Sequence, residues 1–336
     1  MDKHREAARK VLTALYRYET MTPHQLAVTL NYSINHIYKT LSRMKESIEQ
    51  VPVPFIAPSA KAYYLAAQTA ADTADHLRED FDKKDWQDPT KNMLQTLTAN
   101  QFMTELIQQT SKEENAGLLE WYGPRGSAEK YAVFDQEENK TFPVRPLCYG
   151  SFQQEDTGRM IFNLEVLTGE EIIPNLEDQV KKYIKAAKNF WGEDVKHFCI
   201  LFVSHSPAMV EKVISVWNNT ADRIPGDKPQ VGAAYFQDIV SKGIFGRIWL
   251  TPEQQVVNIN YFEQFPPQKI AVEFLGKQMQ NRFSAFKPLL GKSKKQEDDQ
   301  SMKRVQIETK QNNTLESELK YDKSPPEQDL NWLTGE

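Results

Sequence analysis

Residues 197–204 read His-Phe-Cys-Ile-Leu-Phe-Val-Ser, and this run decides the fold. A strand with one face in water alternates apolar and polar residues, whereas an unbroken apolar run of this length fits a strand buried on both faces of a sheet. The flanks agree with that reading. Upstream, residues 160–167 read as a strand, and Leu176, Val180, Tyr183, Ile184 and Ala187 recur at helical spacing over residues 176–188. Downstream, a helix is predicted over 207–217, with shorter strand candidates at 232–236 and 244–250. Further upstream, Leu94, Leu97, Phe102, Leu106 and Ile107 mark an amphipathic helix over 93–109, and 118–122 looks like a strand. Strand and helix alternate, which predicts a mixed α/β domain over residues 89–290 built on a mostly parallel sheet.

The first fifty residues are different. Val11, Leu12, Leu15 and Tyr18 give a first helix one buried stripe. Thr22-Pro23-His24-Gln25 restarts the chain as a helix with a capping box, and Asn31-Tyr32 breaks it after Leu26 and Leu30. Ser33 caps a third helix with Ile34, Ile37, Leu41 and Met44 on one side and Asn35, His36, Lys39, Ser42 and Arg43 on the other. Residues 51–55 and 61–65 read as two extended segments joined by a turn at Ala57-Pro58-Ser59, followed by a helix over 66–77. Helices followed by a β-ribbon give the order of a winged helix-turn-helix. Residues 78–88 are polar enough for a linker, so residues 1–88 are predicted as one domain. From Gly291 the chain carries too little apolar surface to offset ordering entropy, which predicts a disordered tail over 291–336.

Composition limits the function. The 336 residues hold 41 Lys and Arg against 46 Asp and Glu, a formal charge of −5 that excludes a binder working by bulk basicity. The charge is uneven: residues 1–50 hold eight Lys or Arg and five acids, +3, which leaves −8 for the rest. Cys148 and Cys199 are too few for a disulfide scaffold and suit a reducing compartment, and no apolar run approaches the roughly 18 residues of a spanning helix. A cytoplasmic protein with no membrane partner is expected.

A helix in the major groove needs Asn, Lys, Arg and Ser side chains on its outer face. Ser33, Asn35, His36, Lys39, Ser42 and Arg43 form that set on the third helix, and Lys61 lies in the ribbon. Double-stranded DNA is the expected partner; the bland alternative is a solvated face used for protein contacts. Catalysis is harder to find. A metal nuclease on such a sheet needs acids on adjacent strands, with a nearby Lys or water network. Against a Pro-Asp … Glu-x-Lys pattern, this chain reads Pro146-Leu147 and Glu165-Val166-Leu167. Glu165 alone cannot hold Mg²⁺. His197, Cys199 and His205 lack a fourth ligand at zinc spacing, so no metal or cofactor is expected, with Mg²⁺ implied only under a nicking alternative centred on Glu165. The 123–126 stretch Gly-Pro-Arg-Gly lacks the residues of a phosphate loop.

Several segments in order resemble the replication-relaxation family of plasmids and mobile elements. They are Ala62-Tyr63-Tyr64-Leu65, Asn92-Met93-Leu94, Asn100-Gln101-Phe102, Leu119-Glu120-Trp121-Tyr122, residues 144–150, Phe162-Asn163-Leu164-Glu165, and then Gly169-Glu170, Leu176 and Tyr183. The resemblance covers roughly residues 5–215. It implies an N-terminal winged helix joined to a nuclease-like (restriction-endonuclease-like) α/β domain, and a part in plasmid replication and DNA relaxation. Leu147 and Leu167 stand where that family tends toward acids, which implies a catalytically degenerate α/β domain serving as scaffold or homodimer platform. A winged-helix transcriptional regulator is the other reading. Trp332 and Leu333 in the tail are candidates for docking replication or relaxation proteins.

Overall fold

The computed structural model describes residues 3–79, 81, 89–111, 116–124, 131–135, 140–144, 146–154, 158–168 and 173–266. Helix α1, Lys3–Tyr18, buries Val11, Ala14 and Leu15 completely. Helix α2, Pro23–Leu30, begins at the expected capping box: the Gln25 N–H donates to Thr22 Oγ1 (3.2 Å), and the Thr22 N–H donates to Gln25 Oε1 (3.0 Å). Asn31 ends it in the left-handed conformation, φ 54. Ser33 then caps helix α3, Ile34–Arg43, by accepting from the His36 N–H. Each cap satisfies donors that a helix start otherwise strands, so these turns are fixed locally.

Strands β1, Glu49–Pro52, and β2, Lys61–Tyr64, pair antiparallel with Gln50 opposite Tyr63. Met21, between α1 and α2, pairs with Tyr63 at N···O distances of 3.0 and 2.8 Å and adds a one-residue third strand. The first strand lies earlier than its sequence suggests, because Pro52 and Pro54 carry no N–H for a ladder. Val53 still donates to the Ala60 carbonyl (2.9 Å), and two successive turns, closed by Ile56 N–H to Val53 and Ala60 N–H to Ala57 (both 2.9 Å), replace the single expected one. Helix α4, Ala67–Leu77, packs back on α1.

Helix α5, Met93–Thr110, occupies the expected stretch but not as an amphipathic surface helix. Every residue from Thr96 to Thr104 is buried, because α5 lies between α2 and the large sheet. Several polar groups are paired across those contacts, while Thr96 Oγ1 and Asn100 Oδ1 are buried without a hydrogen-bond partner among the described residues. Gln25 donates to the Leu97 carbonyl (3.0 Å), Asn100 Nδ2 donates to the carbonyls of Tyr18 (3.0 Å) and Thr20 (2.8 Å), and Gln95 donates to the Val166 carbonyl (3.2 Å). The described residues all fall in one compact unit, and one hydrophobic cluster runs from Val11 through Phe102 to Phe262.

The sheet follows. Its strands are β3 (Gly117–Tyr122), β6 (Cys148–Gln153), β7 (Arg159–Leu167), β8 (Phe198–Ser204), β9 (Gln230–Tyr235), β10 (Trp249–Leu250) and β11 (Val256–Val257); a separate hairpin, β4 (Tyr131–Asp135) with β5 (Lys140–Val144), comes between β3 and β6. The spatial order is β11-β10-β9-β8-β7-β6-β3. Strands β7, β8 and β9 run parallel through crossovers containing helices α6 (Ile173–Trp191) and α7 (Pro207–Ala221), while β3, β6, β10 and β11 join antiparallel. The expectation of a mostly parallel sheet therefore holds for its centre alone. Residues 154–158 are too short a link for a crossover, so β6 and β7 form a hairpin instead. The strand candidate at 244–250 shrinks to Trp249–Leu250, preceded by a short helix α8, Phe236–Lys242.

Strand β8 is buried along its whole length, as its sequence predicts. Cys199, Leu201 and Val203 join the cluster containing Phe102 and Trp249, and Phe198, Ile200 and Phe202 join one containing Val180, Ile184, Val213 and Ile214 of α6 and α7. Alternation of side chains thus divides the core into two layers about one strand. No helix among the described residues is long and apolar enough to cross a membrane. The tail over 291–336, with Trp332 and Leu333, lies outside the described residues, as do residues 82–88 of the expected linker and Arg125 and Gly126.

Candidate nucleic-acid interface

Helix α3 separates its residues by face. Ile37, Thr40 and Leu41 are buried against the fold, and Thr40 Oγ1 donates to the His36 carbonyl (2.9 Å). Asn35, Lys39, Ser42 and Arg43 are exposed. Asn35, Lys39 and Arg43 follow at four-residue spacing, so they stand in one row, with Ser42 beside it. Lys45 is exposed just beyond the helix. The other expected residues are placed differently. Ser33 is exposed, but its hydroxyl accepts the capping bond. His36 is half-buried with its ring 4.8 Å from that of Tyr32, while Lys61 is exposed on β2 and donates to Gln50 Oε1 (3.4 Å).

Two of the cations in the first fifty residues serve the fold. Lys10 pairs with Glu6 (3.0 Å) and lies 5.6 Å from the centre of the Tyr32 ring, and Arg17 pairs with Glu79 (3.1 Å). Two large residues that the sequence reading passed over are exposed: Tyr38, on α3, at 53%, and Phe55, on the turn of the β1–β2 ribbon, at 50%. Tyr38 is three residues after Asn35 and four before Ser42, so helical spacing alone places it on the outer face. For Phe55 the signal is its position between prolines in a stretch without charge.

The second cluster of interest surrounds Glu165. Pro146 and Leu147 precede β6 rather than lying within it. Glu165, partly buried on β7, accepts at Oε1 from the Leu147 N–H (3.1 Å) and from the Tyr183 hydroxyl of α6. A backbone N–H of Leu147 therefore meets Glu165 where the nuclease pattern would place a carboxylate. Burial pushes the Glu165 carboxyl from its ordinary 4.5 to about 7, against the opposing pull of these two hydrogen bonds. Tyr183 is raised well above its ordinary value by burial and then by the adjacent Glu165 charge.

A carboxyl whose folded value is raised binds its proton more tightly folded than unfolded, so its stabilisation is complete below about 4.5 and is lost as pH rises to about 7. Glu165→Gln, which keeps the acceptor oxygen and removes the charge, is expected to flatten stability across that window and to raise it above pH 7 by up to about 3 kcal/mol. Denaturant midpoints of the two proteins at several pH values check this; parallel pH curves would contradict it.

His197, Cys199 and His205 do not converge. His197 lies 3.8 Å from both Asp194 and Glu263, Cys199 is buried in the sheet, and His205 shares a 2.8 Å hydrogen bond with Thr98 Oγ1. Burial also raises both cysteine thiols well above their ordinary value. Among the described residues, no group of three or more His, Cys, Asp or Glu is placed to hold a metal ion. The described residues around Glu165 do not fit a Mg²⁺ site, and no metal-dependent step follows from them. No family model matches the chain, and neither a curated protein nor a solved structure does.

Proposed function

We propose that the chain is a DNA-binding protein that docks on duplex DNA through α3 and acts in the replication or relaxation of a plasmid or other mobile element. The observation that carries this reading is the solvent face of α3, where Asn35, Lys39, Ser42 and Arg43 stand exposed on a helix locked from behind by Ile37 and Leu41. Lys and Arg neutralise phosphates or pair with guanine, and Asn pairs with adenine, so this set serves both positioning and base reading. The connectivity supports it: α1, the Met21 bridge, α2, α3 and the β1–β2 ribbon follow in winged-helix order. The sheet and its helices act as the platform that holds α3 through α2 and α5. The plasmid setting rests on the segments that resemble the replication-relaxation family.

A photoreactive amino acid in place of Tyr38 tests the docking face directly in the full chain. It is expected to crosslink to duplex DNA, while the same group in place of Lys212, exposed on α7, is not. Equal crosslinking from both positions, or none from Tyr38, would contradict the assignment.

A further inference from the structure

Residues 50–60, Gln-Val-Pro-Val-Pro-Phe-Ile-Ala-Pro-Ser-Ala, form the end of the β1–β2 ribbon and contain no charged side chain. Solvent-facing turns are ordinarily polar, yet this one exposes Pro52, Pro54, Phe55 and Pro58, with Phe55 at 50%. Its backbone is held firmly beneath that surface. Val53 is fully buried in a cluster with Ala62 and Leu97 of α5, joined by Val51, Ile56 and Ala60, and its carbonyl accepts from the Ile56 N–H (2.9 Å). Prolines restrict the chain further. The result is a rigid turn that presents one aromatic ring to solvent, so little ordering entropy remains to be lost on binding.

We propose that this turn is an apolar wedge: Phe55 enters the minor groove of duplex DNA next to the groove occupied by α3 and unstacks a base step. The inference rests on the docking reading above and specifies what the ribbon adds to it. Residues 50–60 hold no cation and therefore neutralise no phosphate charge. Flanking cations hold DNA near them instead: Lys61, opposite Pro52 where the ribbon meets the turn, and Lys39, Arg43 and Lys45 on or just beyond α3, are all exposed. Four strand residues at about 3.3 Å each carry the turn roughly 13 Å along the ribbon, enough to pass from one groove toward the next. Phe and Pro are among the side chains that proteins insert between base steps, where the ring loses its exposure and the duplex kinks. Unstacking a step is also part of opening a duplex locally.

The test uses the full chain and an A·T-rich duplex carrying 2-aminopurine, whose fluorescence rises when its stack is broken. The wild-type chain is expected to raise that fluorescence. Phe55→Ala is expected to bind about tenfold more weakly, to lose the fluorescence rise, and to keep the wild-type salt dependence, since it removes stacking and no charge. Phe55→Trp is expected to restore the rise. Because Phe55 is half exposed, the Ala variant should keep the wild-type circular dichroism, which separates this loss from misfolding. Wild-type fluorescence and affinity in Phe55→Ala, or DNA binding by the wild-type chain with no rise, overturns the wedge while leaving docking through α3 intact. A Phe55→Ala chain that loses self-association but binds DNA normally assigns the turn to a second copy and also overturns it. If the wild-type chain binds no DNA, the docking reading fails and the wedge with it.

Discussion

Asn100→Ala is expected to destabilise the protein by about 3 kcal/mol, although the residue lies on α5 and not on α3. Its side chain is fully buried and donates to two carbonyls, those of Tyr18 (3.0 Å) and Thr20 (2.8 Å), at the junction of α1 and α2. Truncation strands both acceptors away from water, at about 1–3 kcal/mol for each unpaired group. The position of the loss is as informative as its size. Trp121, Trp191, Trp217 and Trp249, four of the six tryptophans, lie on the sheet side of α5. With Trp86 and Trp332, which lie outside the described residues, replaced by phenylalanine in both proteins, tryptophan fluorescence reports the sheet, while the lost bonds belong to the helices before it. A shared core predicts that the fluorescence midpoint in denaturant falls with that of circular dichroism, at unchanged m-value. A fluorescence midpoint equal to that of the wild-type protein would show that the two parts unfold separately.

Replacing Lys39 and Arg43 together with alanine is expected to lower the affinity of the full chain for duplex DNA about a hundredfold at moderate salt. Each contact of this kind contributes about 1–3 kcal/mol, and two at about 1.4 kcal/mol each multiply to two decades. Both side chains are exposed, so their truncation leaves the core of α3, Ile37 and Leu41, untouched. Arg43→Lys separates the two roles open to the guanidinium. A phosphate contact tolerates the exchange of one cation for another, whereas bidentate pairing with guanine does not. Fluorescence anisotropy of a labelled duplex measures both variants; a double variant within twofold of the wild-type protein would remove α3 from the interface.

Local signals in this chain were legible where a short pattern answers to a single physical demand. The capping box at Thr22 and Gln25, the stop at Asn31, and the two faces of α3 all follow from spacing, and the structure has each of them. The same holds for β8, whose apolar run is buried from end to end. What stayed hidden depends on distant partners. Helix α5 reads as amphipathic because Thr96, Thr98, Asn100, Gln101 and Thr104 are polar, yet all are buried. The hydrogen bonds of Thr98, Asn100 and Gln101 reach His205, Tyr18 with Thr20, and Gln25, far away in the chain, so no local period marks them. Strand β6, with Tyr149, Gly150, Ser151 and Gln153, carries too little apolar character to read as a buried strand; its burial comes from pairing with β3 and β7. In the candidate interface, the row Asn35, Lys39 and Arg43 was legible from period alone. Phe55 was not, because apolar residues are read as core by default and only its position on a turn shows that it is exposed.

The most direct test of docking through α3 is the salt dependence of binding for the full chain. Each phosphate contact made by a cation releases counterions, so the logarithm of the affinity falls linearly with the logarithm of salt concentration, with a slope of about −0.9 per contact. The wild-type protein is predicted to give a steep negative slope, and the Lys39→Ala, Arg43→Ala double variant a slope shallower by about one to two. A wild-type slope near zero, or one that the double substitution leaves unchanged, would contradict the account.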